Sequence, residues 1–280
     1  MHRERFAPSP TGPLHLGHAF SALTAFEAAK ASGGEFLLRI EDIDRPRCRE
    51  EYVQGIFDDL HWLGISWPEP VLSQSERMEA YQAALDTLET RGLTYRCTCT
   101  RSDIWAALAA RQEGSDPSGT YPGTCREKQI TAEVPTAIRL NMRAALAALD
   151  GRELSFEEFG KGPAGETGHI GIAPENLLEE VGDIVLARRD IGTSYHIAVV
   201  VDDAHQGITH VTRGQDLFAD TAIHVLLQKL LGLPTPIYRH HRLIRDEVGK
   251  RLAKRDDARA IARYRSDGMS PVEVKALIGL

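Results

Sequence analysis

The chain has 280 residues, 42% of them hydrophobic and 26% charged, with 33 Lys and Arg against 40 Asp and Glu. These fractions exclude wholesale disorder and fibrous repeats. The net charge of −7 excludes a protein that coats nucleic acid by bulk positive charge, though it leaves room for a local basic face.

The N-terminus enters charged residues at once, and the longest apolar run, Ile104 to Ala110, is far short of the ~20 residues of a membrane span. Four cysteines are too few for a disulfide scaffold. A cytoplasmic protein without a membrane segment, and a monomer, is expected.

Arg3 to Ala7 reads as a short strand, followed by the turn Pro8-Ser9-Pro10-Thr11-Gly12-Pro13. A helix is expected from Leu16 to Ala31, stopped by Gly33 and Gly34, and a buried strand from Phe36 to Ile40 that ends in Glu41-Asp42-Ile43-Asp44. Another helix is expected over Glu50 to Leu63. Ser73 with Glu76 reads as a capping box for a helix ending at Gly92. Thr94 to Cys97 reads as a strand, whereas Glu113 to Gly123 and the glycine-rich Gly160 to Gly171 read as loops. Ile197 to Val201 is apolar and β-branched, so it reads as a strand closed by Asp202 and Asp203. A helix with Asp216 near its start is expected to end at Gly232, and the last 35 residues are basic and helical in pattern. The alternation implies a parallel α/β sheet interrupted by an insertion.

Where the Pro/Gly turn enters the first helix, His15-Leu16-Gly17-His18 puts two imidazoles on one face of a helix start. Backbone N–H groups there favour phosphate, and the imidazoles can stabilise charge on a phosphate under in-line attack. Alone, a His-x-x-His tetrapeptide is also common by chance.

The flanking residues decide between these. Arg5-Phe6-Ala7-Pro8-Ser9-Pro10-Thr11-Gly12, followed by Leu14-His15-Leu16-Gly17-His18, closely resembles the start of the class I aminoacyl-tRNA synthetases of the glutamyl/glutaminyl branch. Arg39 to Arg45, Tyr195 to Asp203 and Gly207 to Leu217 resemble three further blocks of that branch, in the same order.

The resemblance implies a Rossmann-type parallel sheet with an inserted subdomain and a short helical C-terminal region. The expected divisions are 1–95, 96–185, 186–245 and 246–280. It implies ATP binding, with Mg2+, by His15, Gly17 and His18. Gly249 to Arg255 resembles the family's second ATP signature, a lysine loop, with Lys254 on its second lysine, Arg251 in place of the first and Ala253 in place of the serine. His15, His18 and Lys254 are the implied catalytic residues. Arg5, Phe6, Ala7, Pro8, Ser9, Glu41, Tyr195 and Arg213 take the positions that bind L-glutamate. Two guanidiniums, an acid and a hydroxyl suit a ligand with two carboxylates and an ammonium.

Cys97-Thr98-Cys99 and, beyond it, Cys125 offer three thiolates that bind zinc if a fourth ligand is found; buried thiols are the other reading. With Tyr121 the set resembles the zinc motif of one subfamily, the glutamyl-Q synthetases, so one structural zinc on Cys97, Cys99, Tyr121 and Cys125 is implied. Only 25 residues follow Arg255, and no anticodon-binding domain is expected. Members of that subfamily share this length and transfer glutamate to queuosine at the wobble position of tRNA(Asp). The alternatives are a truncated synthetase charging a tRNA 3′ end, and a catalytically silent RNA-binding paralogue. Arg239, His240, His241, Arg242, Arg259, Arg263 and Arg265 are basic candidates for RNA phosphate.

Overall fold

The computed structural model describes residues 1–109, 120–131, 133–244 and 260–280. Its first half is a series of parallel strands joined by helical crossovers. Strand β1 (Arg3–Phe6) leads to helix α1 (Leu16–Ala31), β2 (Glu35–Ile40), α2 (Glu50–Trp62) and β3 (Leu72–Ser73). β1 pairs in parallel with β2, Arg3 opposite Glu35 through Phe6 opposite Leu38, and β2 pairs in parallel with β3. Helix α1 begins at the expected residue because His15 is extended and caps it. It stops where Gly33 takes a positive φ of 62°. Its Leu16, Ala19, Phe20, Ala22, Leu23, Ala25 and Ala29 are buried against the sheet and α2.

Next come α3 (Met78–Thr90), β4 (Thr94–Cys97), α4 (Arg101–Ala109), β5 (Ala137–Leu140), α5 (Met142–Ala147), β6 (Ser155–Glu158) and β7 (Gly168–Gly171). A short α6 (Pro174–Asn176) runs on through a wider turn over Leu177–Val181 into β8 (Val185–Ala187). β4, β5 and β8 form an antiparallel sheet. Buried Asp183 ties this region together, accepting from Tyr95 Oη (2.6 Å), Arg126 Nη2 (2.7 Å) and the Met142 amide (2.9 Å).

The chain then returns through α7 (Tyr195–His205), β9 (His210–Gly214), α8 (Asp220–Leu231) and β10 (Ile237–His241), and ends in α9 (Ile261–Ser266) and α10 (Pro271–Leu277). β9 and β10 are parallel. β1 runs beside β9, where the Thr209 amide donates to the Arg3 carbonyl at 3.0 Å. The parallel strands therefore follow the order β3-β2-β1-β9-β10, a Rossmann-type sheet with helical crossovers. The β6–β7 hairpin extends it past β10, Glu158 lying opposite Tyr238. No helix among the described residues is long and apolar enough to cross a membrane.

Three readings need correction. Ile197 to Val201 is helix, the centre of α7, and not strand. A short apolar run has no periodicity of its own, and burial on every side, against α3 and α8, outweighs the few tenths of a kcal/mol per residue that β-branching costs a helix. Ser73 makes no capping bond: a 3₁₀ turn over Gln74–Glu76 intervenes and α3 starts at Met78. The expected loop from Gly160 to Gly171 ends in strand β7, paired to β6 from Ser155–Gly171 through Glu158–Gly168.

Candidate active site

The carboxyl ends of β1, β2 and β9 open into a cavity of about 540 Å³. Ligands gather at such a switch point in parallel sheets, where neighbouring crossovers diverge. Arg5, Phe6, Ala7, Ser9, His15, Gly17, His18, Glu41, Tyr195 and Arg213 all line it. Pro8 is not among its walls, but the Pro8 carbonyl accepts from the Glu41 amide (3.0 Å) and so fixes where that acid emerges. Lys254, with the rest of Gly249 to Arg255, lies outside the described residues.

The start of α1 is capped by its own two histidines. The Gly17 amide donates to His15 Nδ1 (3.1 Å) and the His15 amide donates to His18 Nδ1 (3.1 Å). The ring centroids lie 3.7 Å apart with the planes tilted by 30°. Because both Nδ1 atoms accept backbone hydrogens, the neutral rings carry their proton on Nε2, the nitrogen a phosphate oxygen needs. A Cβ on Gly17 would come within 3.0 Å of His15 Cε1, so glycine here makes room for the capping ring.

Arg5 and Arg39 share one acid. Asp203, near the end of α7, accepts from Arg5 Nε and Nη2 (both 3.1 Å) and from Arg39 Nη1 (2.8 Å). Arg39 also donates to Glu41 Oε1 (3.1 Å). Burial alone would raise the Asp203 carboxyl, but the two guanidiniums hold it below the ordinary carboxylate range. Burial raises Glu41 despite the opposing pull of Arg39 and Arg5. The Tyr195 phenol is pushed up to about 12 by burial, against the pull of Arg213, so it stays a neutral donor.

Arg213 is different. It is 5% exposed, and its three nitrogens face neutral groups: Nε donates to His240 Nε2 (3.1 Å), Nη1 to His224 Nδ1 (3.1 Å) and Nη2 to Thr221 Oγ1 (2.6 Å). Among the described residues it has no carboxylate partner. A buried cation left in this state is a strong site for an anion. Asp203, Arg39, His224 and His240 were not legible as parts of a site. Their roles depend on contacts across separations of up to 198 residues, which no local pattern carries.

His240 also corrects the list of RNA-facing basic residues: it is buried on Glu158. His241 bonds Ser21, and Arg242 lies over Phe20 with a bond to the Ile278 carbonyl. Arg259 lies outside the described residues.

A second cavity, of about 510 Å³, shares Ser9, Glu41 and Tyr195 with the first and continues past Asp44, Arg47, Arg188 and His196. Farther off, the Cys97, Cys99 and Cys125 sulfurs lie within 4.8 Å of one another. Tyr121 Oη is 3.4 Å from both Cys97 and Cys99 Sγ. A tetrahedral ion with metal–sulfur bonds of ~2.3 Å needs sulfurs about 3.8 Å apart, so these four donors fit one metal ion with no outside ligand. Burial would raise the Cys125 thiol, but the Thr98 amide and the Tyr121 hydroxyl bring it down to about 6; burial takes Cys99 up to about 11. Arg139 lies over the Tyr121 ring, 3.8 Å from its centroid.

A family model for class I tRNA synthetases (E and Q), catalytic domain, matches residues 2–280. A curated protein of Rhodobacter capsulatus named glutamyl-Q tRNA(Asp) synthetase is 56% identical, over 99% of this chain and 99% of its own. One of the same name from Thiobacillus denitrificans is 43% identical, over 92% of this chain and 79% of its own. Among solved structures, a glutamate-tRNA synthetase from Elizabethkingia anophelis superposes with a TM-score of 0.78 at 27% identity. The chain is covered in full there but spans only 61% of that protein's length.

Proposed function

The chain belongs to the class I glutamyl- and glutaminyl-tRNA synthetase family, a family of ligases, and we propose that it activates L-glutamate with ATP and transfers it to queuosine at the wobble position of tRNA(Asp). The observation that carries this reading is Arg213, a buried guanidinium with no carboxylate bonded to it among the described residues, in the same cavity as the paired imidazoles of His15 and His18. The transfer to queuosine rests on the relatives named for it.

Glutamate's side-chain carboxylate becomes the counter-ion of Arg213, with Tyr195 donating to it. Arg5 spends two nitrogens on Asp203 and has Nη1 left to offer, and Glu41 faces the ammonium. An oxygen of the α-carboxylate attacks the α-phosphorus of ATP, which enters with Mg2+. The bond to the bridging oxygen breaks, and pyrophosphate leaves with that electron pair. His15 and His18 donate from Nε2 to the phosphates, and Lys254 adds positive charge. No protein nucleophile is needed; positioning and charge stabilisation suffice. A queuosine hydroxyl, entering from the second cavity, then attacks the glutamyl carbonyl; the bond from that carbon to the phosphate oxygen breaks, and AMP leaves with the electron pair while its phosphate takes up the hydroxyl proton. A reaction on tRNA sets the enzyme in the cytoplasm.

Radiolabelled glutamate with ATP is expected to label tRNA that contains queuosine, in its anticodon fragment, and to leave queuosine-free tRNA blank. Equal labelling of both at the 3′ end would instead establish the charging alternative.

Cys97, Cys99, Cys125 and Tyr121 would hold one zinc ion, whose part is structural because the donor set is closed. Elemental analysis is expected to find one zinc per chain. Cys97→Ser is expected to lose it, with a fall in unfolding free energy on the order of 3 kcal/mol. A stable metal-free protein would remove the site.

A further inference from the structure

Behind Arg213 lies a buried chain of groups that the reaction does not touch. Glu158, at the end of β6, comes from the stretch between the two halves of the parallel sheet and is 1% exposed. Its Oε1 accepts from the His240 amide (2.9 Å) and the Gly160 amide (2.7 Å), and its Oε2 pairs with His240 Nδ1. A side chain on Gly160 would strike the His240 carbonyl oxygen, so glycine lets the hairpin press this close to β10.

The hydrogen positions follow from the partners. A carboxylate only accepts, so His240 carries its proton on Nδ1 and presents a lone pair at Nε2, which is what the Arg213 Nε–H requires. On the other side His224 Nδ1 accepts from Arg213 Nη1, so its proton sits on Nε2 and is donated to His196 Nδ1 (3.2 Å). Burial holds both imidazoles below their ordinary range, and Arg213 adds to that effect. Both rings therefore stay neutral, and neither adds a positive charge beside the guanidinium.

We propose that Glu158 and His240 are positioning residues for glutamate. The carboxylate fixes the His240 tautomer, and that tautomer aims the Arg213 guanidinium into the cavity while placing no carboxylate directly on it. The proposal rests on the reading of Arg213 as the carboxylate-binding residue. Its chemistry is specific to an anion: an acid placed directly on Arg213 would hold it equally well but would neutralise it. Two neutral imidazoles hold it in place and leave the full attraction for an acidic over an amide side chain.

Glu158→Gln tests this with almost no change in volume. The amide oxygen keeps the two backbone hydrogens, and the amide NH2 then faces His240 Nδ1. The imidazole proton moves to Nε2, where it meets the Arg213 Nε–H donor to donor. In glutamate-dependent pyrophosphate exchange, the KM for glutamate is expected to rise roughly 10- to 100-fold. The kcat and the KM for ATP should stay within about 2-fold, and the preference for glutamate over glutamine should fall (1.4 kcal/mol per tenfold).

His240→Gln sets an amide oxygen near the place of Nε2 and is expected to keep KM within about 3-fold of wild type, whereas His240→Leu loses it. Adding Glu158→Gln to His240→Gln should have no further effect. An unchanged KM and glutamate preference in Glu158→Gln would overturn the proposal, as would a loss of kcat that tracks a loss of Tm. Should Glu158→Gln not fold, the His240→Gln and His240→Leu pair decides in the same way. A wild-type protein with no glutamate-dependent exchange would overturn the reading of the site, and this proposal with it.

Discussion

Arg213→Gln is expected to lower kcat/KM for glutamate in pyrophosphate exchange on the order of 10³-fold while leaving the fold intact. The amide can still donate to an imidazole, so the substitution chiefly removes charge. A charge-assisted contact to a desolvated carboxylate contributes about 2–5 kcal/mol, and all of it is lost here. Stability should change by no more than about 2 kcal/mol. Relief from burying a cation without a carboxylate offsets the cost of the His224 or His240 lone pair left unpartnered. Thermal unfolding beside exchange kinetics checks both parts. Exchange near the wild-type level would remove Arg213 from the glutamate site.

Asp203→Asn is expected to do the opposite to stability. Asp203 is the shared counter-ion of Arg5 and Arg39, all three buried, so the neutral amide strands positive charge in the core. Removing one partner of such a cluster costs about 3–5 kcal/mol, or roughly 10 °C in Tm for a chain of this size. The pH dependence carries the same signature. The folded-state carboxyl of Asp203 lies below its ordinary value. Its contribution is therefore fully present above the unfolded value near 4 and is lost as pH falls through the lower folded one. The stability gap between wild type and Asp203→Asn should accordingly narrow below about pH 4. A constant gap down to pH 2 would assign the loss to packing.

Much of this architecture is legible in the sequence, and what is not legible there has one cause. Helix α1 is legible to the residue because a Pro/Gly turn and a Gly-Gly stop bracket it, and β4 because its apolar and polar residues alternate between clear turns. Local signals suffice where the chain punctuates itself. Helix α7 defeats them: Tyr195 to His205 is buried nearly all round, so no polar face betrays its period. Its consecutive acids turn to different tasks, Asp202 accepting from Gln74, Arg77 and Tyr81 while Asp203 accepts from Arg5 and Arg39. A strand reading closed by two acids contains neither fact. At the site, most of the cavity walls come from residues in the resembling blocks, as do Arg39 and Asp203, whereas Glu158, His224 and His240 lie outside them. Glu158 sits in a stretch with no motif, and His240 looked like a surface base.

The pairing of Arg39 with Asp203, 164 residues apart, also bears on how the protein is born. At roughly 5–20 residues per second, the ribosome needs roughly 8 to 30 seconds to make the acid that neutralises guanidiniums already synthesised in β1 and β2. Through that interval the emerging first half holds two cations with only Glu41, on Arg39, as an acidic partner. The buried charges of β1 and β2 are therefore matched only once α7 has been made, so a chain truncated before Asp203 lacks the acid that its first two strands share.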